Sequence, residues 1–118
     1  MSDSLDRRQA LTWLTSLGAL ATSPVRAQNA RSIVLGQSAP ITGPAAQLGL
    51  QMNQGARLYF DALNAQGGVN GLTVDLRLLD DGYEPDRCKA NTEAFIRDDV
   101  FALFGYVGTP TTLAALPL

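Results

Sequence analysis

Apolar positions in this chain follow several different periods, each of which predicts an element. A continuous apolar run at Ile33, Val34 and Leu35, ended by Pro40, predicts a strand buried on both faces. Between Thr42 and Gly68 the spacing becomes three and four, with Leu48, Met52, Ala56, Tyr59, Phe60 and Leu63 recurring while Gln51, Gln54, Arg57 and Asp61 fall largely elsewhere. This is the stripe of an amphipathic helix, and Gly67-Gly68 can stop it by accepting the left-handed cap conformation. Strict alternation follows: Leu72, Val74, Leu76 and Leu78 against Thr73, Asp75 and Arg77 predict a strand with one side more exposed, as at a sheet edge. The stretch "DGYEPDRCKANTEAFIRDD" reads as a loop and a second helix with Pro85 in its first turn, and "VFALFG" is a third strand, apolar throughout. Finally "YVGTPTTLAAL" begins a third helix, with Thr109 as N-cap and Pro110 just behind it.

The order is β-α-β-α-β-α, which predicts an α/β fold with a parallel sheet and right-handed crossovers. With the alternating second strand outside and the two apolar strands inside, the strand order is 2-1-3 and the helices cover opposite faces. The expected architecture is a three-layer doubly wound sheet. Its switch point lies between the carboxyl ends of the first and third strands, where open α/β sheets bind ligands. Two loops flank that crevice, "QSAPITGP" and "GYVGTPTT".

Composition changes this picture at the amino terminus. The chain has 118 residues, 46% hydrophobic and 17% charged, enough for one compact core. Arg7 and Arg8 precede an apolar run from Ala10 to Ala21, and Val25-Arg26-Ala27 offers a cleavage site, so residues 1–27 read as a secretory signal cut after Ala27. "DRRQAL" is compatible with a twin-arginine signal as well as with the general route. Residues 28–118 then form the mature chain. No later apolar run reaches membrane length, and loss of Arg7, Arg8 and Arg26 leaves nothing basic enough for a nucleic-acid footprint.

The residue inventory excludes several chemistries. Histidine is absent, which removes the usual general base, the commonest zinc ligand and any imidazole-dependent triad. Cys88 is the sole cysteine, read as a half-buried helix residue, so no internal disulfide forms. Neither a Walker loop nor a dinucleotide fingerprint occurs. Asp80 and Asp81, adjacent at a strand end, point apart and suit turn and helix-start duty better than metal binding or paired catalysis. No cofactor or metal is expected. What remains is a binding mouth: Ser38 and Thr42 on the first loop, Tyr83 and Tyr106 as apolar bodies with polar tips, and Val107, Gly108 and Thr109 on the third. A threonine hydroxyl at position 109 can accept from the helix backbone while donating to a ligand oxygen, and the N–H groups of Thr111 and Thr112 add donors for a carboxylate.

Taken together, "SAPITGPAAQLG" after the first strand, "NAQGGVNG", "DDGYEP" and the glycine-led polar loop "GYVGTPTT" closely resemble the start of the periplasmic solute-binding proteins of branched-chain amino acid ABC transporters. The resemblance implies a type I periplasmic binding fold of two hinged lobes that trap an amino acid or related small carboxylate, without catalysis, and a closed form that docks on an ABC permease in the inner membrane. It implies that Thr109, with Val107 and Gly108, holds the ligand's carboxylate, and that Leu48, where many relatives carry an aromatic, lies near the ligand's side chain. Pro110 departs from the serine-rich version of the loop and removes one backbone donor. Relatives run to several hundred residues, so residues 28–118 are expected to be an incomplete N-terminal lobe of a truncated product. A ligand-sensing receptor built on the same fold is the alternative, and a flavodoxin-like enzyme ranks below both.

Overall fold

The parallel sheet assembles around its first strand. In chain order the elements are β1 (Ser32–Ala39), α1 (Ala46–Ala65), β2 (Thr73–Asp80), α2 (Pro85–Arg97), β3 (Ala102–Leu103) and α3 (Thr109–Ala115). They belong to a computed structural model that describes residues 32–118. The expected leader and its cleavage site lie outside the described residues. Both strand pairings are parallel, and the sheet order is β2-β1-β3, as the hydrophobic patterns predict.

Side chains of β1 show which helix covers which face. Gly36 lies against the Phe95 ring of α2 and Ser38 accepts from Asn91 of α2, whereas Gln37 bonds Asn53 of α1. Successive residues of a strand point to opposite faces, so α1 and α2 sandwich the sheet. The fold is therefore doubly wound, with its switch point between β1 and β3. The alternation of β2 is also realised: Val74 and Leu76 are buried while Thr73, Asp75 and Arg77 are exposed at the sheet edge.

Three expectations need correction. The stripe of α1 is rotated: the helix buries Gly49 and Asn53, and leaves Leu48 (58% exposed), Met52 and Tyr59 open. Close approach decides this, because a Cβ at Gly49 would overlap the Pro40 carbonyl, so only a glycine can sit against that turn. The third strand is two residues long rather than six, although Phe101 N–H and Phe104 N–H donate to Val34 O (2.8 Å) and Gly36 O (2.9 Å) at its ends. Among the described residues its outer edge has no partner, which leaves Phe101 76% exposed. Cys88, expected to be half-buried, is fully buried on α2. Burial pushes its thiol up from the ordinary value, which disfavours the reactive thiolate.

The helix ends follow the sequence closely. Gly68 N–H donates to Leu63 O (2.9 Å) and Gly67 N–H to Asn64 O (3.0 Å), the paired bonds that close a helix over a left-handed residue. Pro85 occupies the first turn of α2, where its missing N–H costs nothing. No helix of the described residues is long and apolar enough to cross a membrane.

Candidate functional site

Three loops meet at the carboxyl ends of the strands, and two contacts tie them together. The first is Asp80, the last residue of β2. Its Oδ1 accepts from Ile41 N–H (2.9 Å), Thr42 N–H (3.3 Å) and Gly82 N–H (2.9 Å), and its Oδ2 from the Thr42 hydroxyl (2.6 Å) and Arg87 (2.8 Å). One carboxylate thus holds the β1–α1 loop, its own turn and α2. Burial alone would push its pKa up; donation from Thr42, Ile41, Gly82 and Arg87 outweighs that and holds the carboxyl well below the usual carboxylate range. The second contact is Tyr83, whose ring lies over Gly108 so closely that a Cβ there would stand 2.6 Å from it. Gly108 has φ +106°, which a side chain would strain in any case.

Asp81 has the turn duty expected of it. It is fully buried, accepts from the Ser38 hydroxyl (2.8 Å) and caps the turn through Tyr83 N–H (2.9 Å). Ser38 is buried beneath the loops. Its one proton goes to Asp81 while it accepts from Asn91 (3.1 Å), so its hydroxyl is committed inside the protein rather than offered to the crevice. Thr42 is exposed but similarly spends its hydroxyl on Asp80.

The loop after β3 is held from the α2 side by Tyr106. Thr92 donates its single hydroxyl proton to Cys88 O (2.8 Å), so in the 2.8 Å contact between Thr92 and Tyr106 the phenol must be the donor. Burial pushes the Tyr106 phenol up, which keeps that proton in place. Tyr106→Phe is expected to cost about 0.5–1.5 kcal/mol, the range for a single hydrogen bond. Urea unfolding would measure it, and an unchanged midpoint would show that the bond does not hold the loop.

Threonines at the start of α3 differ from the expected arrangement. Gly108 is the N-cap and Thr109 the first helical residue, because the left-handed glycine turns the chain one position earlier. Thr112 N–H donates to Gly108 O (3.0 Å) and is not free, and its hydroxyl goes to the same carbonyl. Thr111 is fully buried and its hydroxyl is shared between Val107 O (2.8 Å) and Gly108 O (2.9 Å). The Thr109 hydroxyl, by contrast, is exposed and makes no hydrogen bond among the described residues, and the N–H groups of Thr109 and Thr111 lack intrachain acceptors there. The Thr109 hydroxyl and N–H border a hollow of about 360 Å³ lined by Tyr106, Gly108, Thr109, Thr112 and Leu113, whereas Thr111 is buried behind it. An adjoining hollow between β3 and α3, walled by Leu103, Phe104, Ala115 and Leu116, is apolar and coincides with the uncovered sheet edge. Val107 is half-buried in the loop, and Leu48 stands exposed on α1.

Sequence reasoning missed the residues that hold the site from within: Gln37, Asn53, Asn91 and Thr92. Their signal was a polar residue in an otherwise apolar place, such as Gln37 after Leu35 and Asn53 four residues after Gly49. Among the described residues no cluster of three or more His, Cys, Asp or Glu side chains is placed to hold a metal ion.

Comparison with known proteins follows the same geometry. Residues 32–118 match the family described as periplasmic binding protein. Leu/Ile/Val-binding protein homolog 3 of Brucella melitensis biotype 1 is 32% identical over 108 residues, covering 92% of this chain and 28% of that protein. The crystal structure of a possible leucine/isoleucine/valine-binding protein from Rhodopirellula baltica SH 1 superposes with a TM-score of 0.71 at 39% identity, over 75% of this chain and 24% of the other. The branched-chain amino acid transporter substrate binding protein LivJ from Streptococcus pneumoniae, in complex with isoleucine, gives 0.70 at 26% identity, over 74% and 25%. The chain thus spans about a quarter of the length of the proteins it matches.

Proposed function

The chain belongs to the periplasmic binding protein family, and from that premise we propose that it supplies the ligand-contacting start of a substrate-binding component for an ABC uptake transporter. The proposed ligands are branched-chain amino acids or related small amino and carboxylic acids, the proposed compartment is the periplasm after cleavage at Ala27, and the proposed partner is an inner-membrane permease. The observation that carries this reading is the free donor pair of the exposed Thr109, its hydroxyl and its N–H, beside the Tyr83–Gly108 contact. Donors without acceptors at a loop mouth suit a carboxylate, which accepts and cannot donate. In this reading Thr109 holds the carboxylate, Tyr83 and Tyr106 form the wall, and Leu48 lies toward the ligand's apolar part. Ser38, Thr42 and Thr111 shape the loops from behind, since their hydroxyls are already paired. Binding of this kind makes and breaks no covalent bond.

An NMR titration tests the proposal. L-leucine, L-isoleucine or L-valine at millimolar concentration is expected to shift the amides of Gly108, Thr109 and Thr111 saturably. Thr109→Ala should weaken the response by about five- to tenfold, the equivalent of one hydrogen bond of about 1–1.4 kcal/mol. No shift with any of the three, or an undiminished response in Thr109→Ala, overturns the assignment.

A further inference from the structure

The backbone ladder between β1 and β3 stops one residue short of the loop that carries Thr109. Its last rungs pair Leu35 with Ala102 and Gly36 with Leu103, and Phe104 N–H closes on Gly36 O at 2.9 Å. The next residue of β1 is Gln37, fully buried, and its side chain does what the backbone no longer does: Nε2 donates to Gly105 O at 2.9 Å. Gly105 has φ +63° and is where the chain leaves the strand. Contact is close enough that a Cβ on Gly105 would sit 2.9 Å from that same nitrogen.

The other half of the amide is equally committed. Gln37 Oε1 accepts from Asn53 Nδ2 (2.8 Å), Asn53 Oδ1 accepts from Arg57 Nε (3.1 Å), and Arg57 reaches Leu76 O of β2 (3.2 Å). Asn53 therefore sets which way the Gln37 amide faces, because only its NH₂ group can meet the Gly105 carbonyl once its oxygen is taken. An amide buried in a strand is unfavourable unless paired, and here both partners are supplied, one by Asn53 of α1 and the other by the Gly105 carbonyl at the start of the loop.

We infer that Gln37 is a positioning residue for the ligand loop, acting as an extra rung that fixes where Gly105 starts the turn and hence where Thr109 stands. The inference deepens the proposed function and rests on it for the word ligand, but the rung itself is tested without one. Gln37→Met keeps the volume and removes both hydrogen bonds. Native-state amide exchange at Phe104 and Thr112, the bonded amides on either side of the loop, is expected to quicken by about tenfold or more, while the β1–β2 ladder is unchanged. Asn64→Leu serves as comparator. Asn64 bonds both Val74 N–H and Val74 O (2.8 Å each), so its loss should free Val74 and leave Phe104 and Thr112 alone. If Gln37→Met does not fold, Gln37→Ser, whose side chain is too short to reach Gly105, removes the same rung and gives the same readout. Exchange at Phe104 and Thr112 that stays slow, or that quickens only in step with the whole sheet, overturns the inference. Failure of L-leucine, L-isoleucine and L-valine alike to shift Thr109 in the unmodified chain would overturn the proposed function instead, and the exchange result would still decide the rung.

Discussion

Phe95→Ala is expected to destabilise the chain by about 3–5 kcal/mol, the range for emptying a large aromatic site in a core. Phe95 is fully buried, and its ring rests on Gly36, where even a Cβ would stand only 2.7 Å away. On the β1 side the ring meets a glycine, which has no side chain to move into the void. A small domain has a total stability on the order of 5–15 kcal/mol, so this one change should consume a large part of it. Urea unfolding followed by circular dichroism measures the loss, and a cost below about 1 kcal/mol would show that Phe95 is not the centre of the core.

Asp80→Ala is expected to cost about 2–3 kcal/mol at neutral pH. Most of this comes from the Ile41 and Gly82 N–H groups and the Thr42 hydroxyl, which lose their acceptor together. The pairing with Arg87 adds little, because the arginine side chain is 50% exposed against 19% for the aspartate. The pH dependence has a definite sign. Asp80's folded-state pKa is depressed, so its contribution is fully present above the ordinary aspartate value of about 3.9 and is lost as pH falls through and below it. The gap between the native chain and Asp80→Ala should therefore narrow on going from pH 7 toward strongly acid solution. A gap that is constant or widens with acid would mean that Asp80 does not act as a charged acceptor.

Much of the candidate site was legible because its elements are. Gly67-Gly68, Pro85 and Pro110 mark helix ends through backbone requirements that depend on few neighbours, and all three stand at such ends. The turn duty of Asp80 and Asp81 was legible for the same reason. Thr109 was identified as a residue of the loop after the third strand but assigned the wrong cap position, since whether Gly108 or Thr109 begins the helix depends on a left-handed turn pressed beneath the ring of Tyr83, distant in sequence but adjacent in space.

The amino-acid sequence by itself determined the alternation of strands and helices, the exposed character of β2 and hence the order 2-1-3. These follow from the period of apolar residues, and a period is a property of a single segment. Tertiary structure alone decided the rotation of α1 about Gly49 and Asn53, the burial of Ser38 and Thr111, and the use of Gln37 as a rung toward Gly105. Each depends on which carbonyl or ring a residue meets across the sheet. Hydrophobic pattern says that a side chain will be covered; only the packed neighbours say by what, and that is what leaves Thr109 with the free hydroxyl at the mouth.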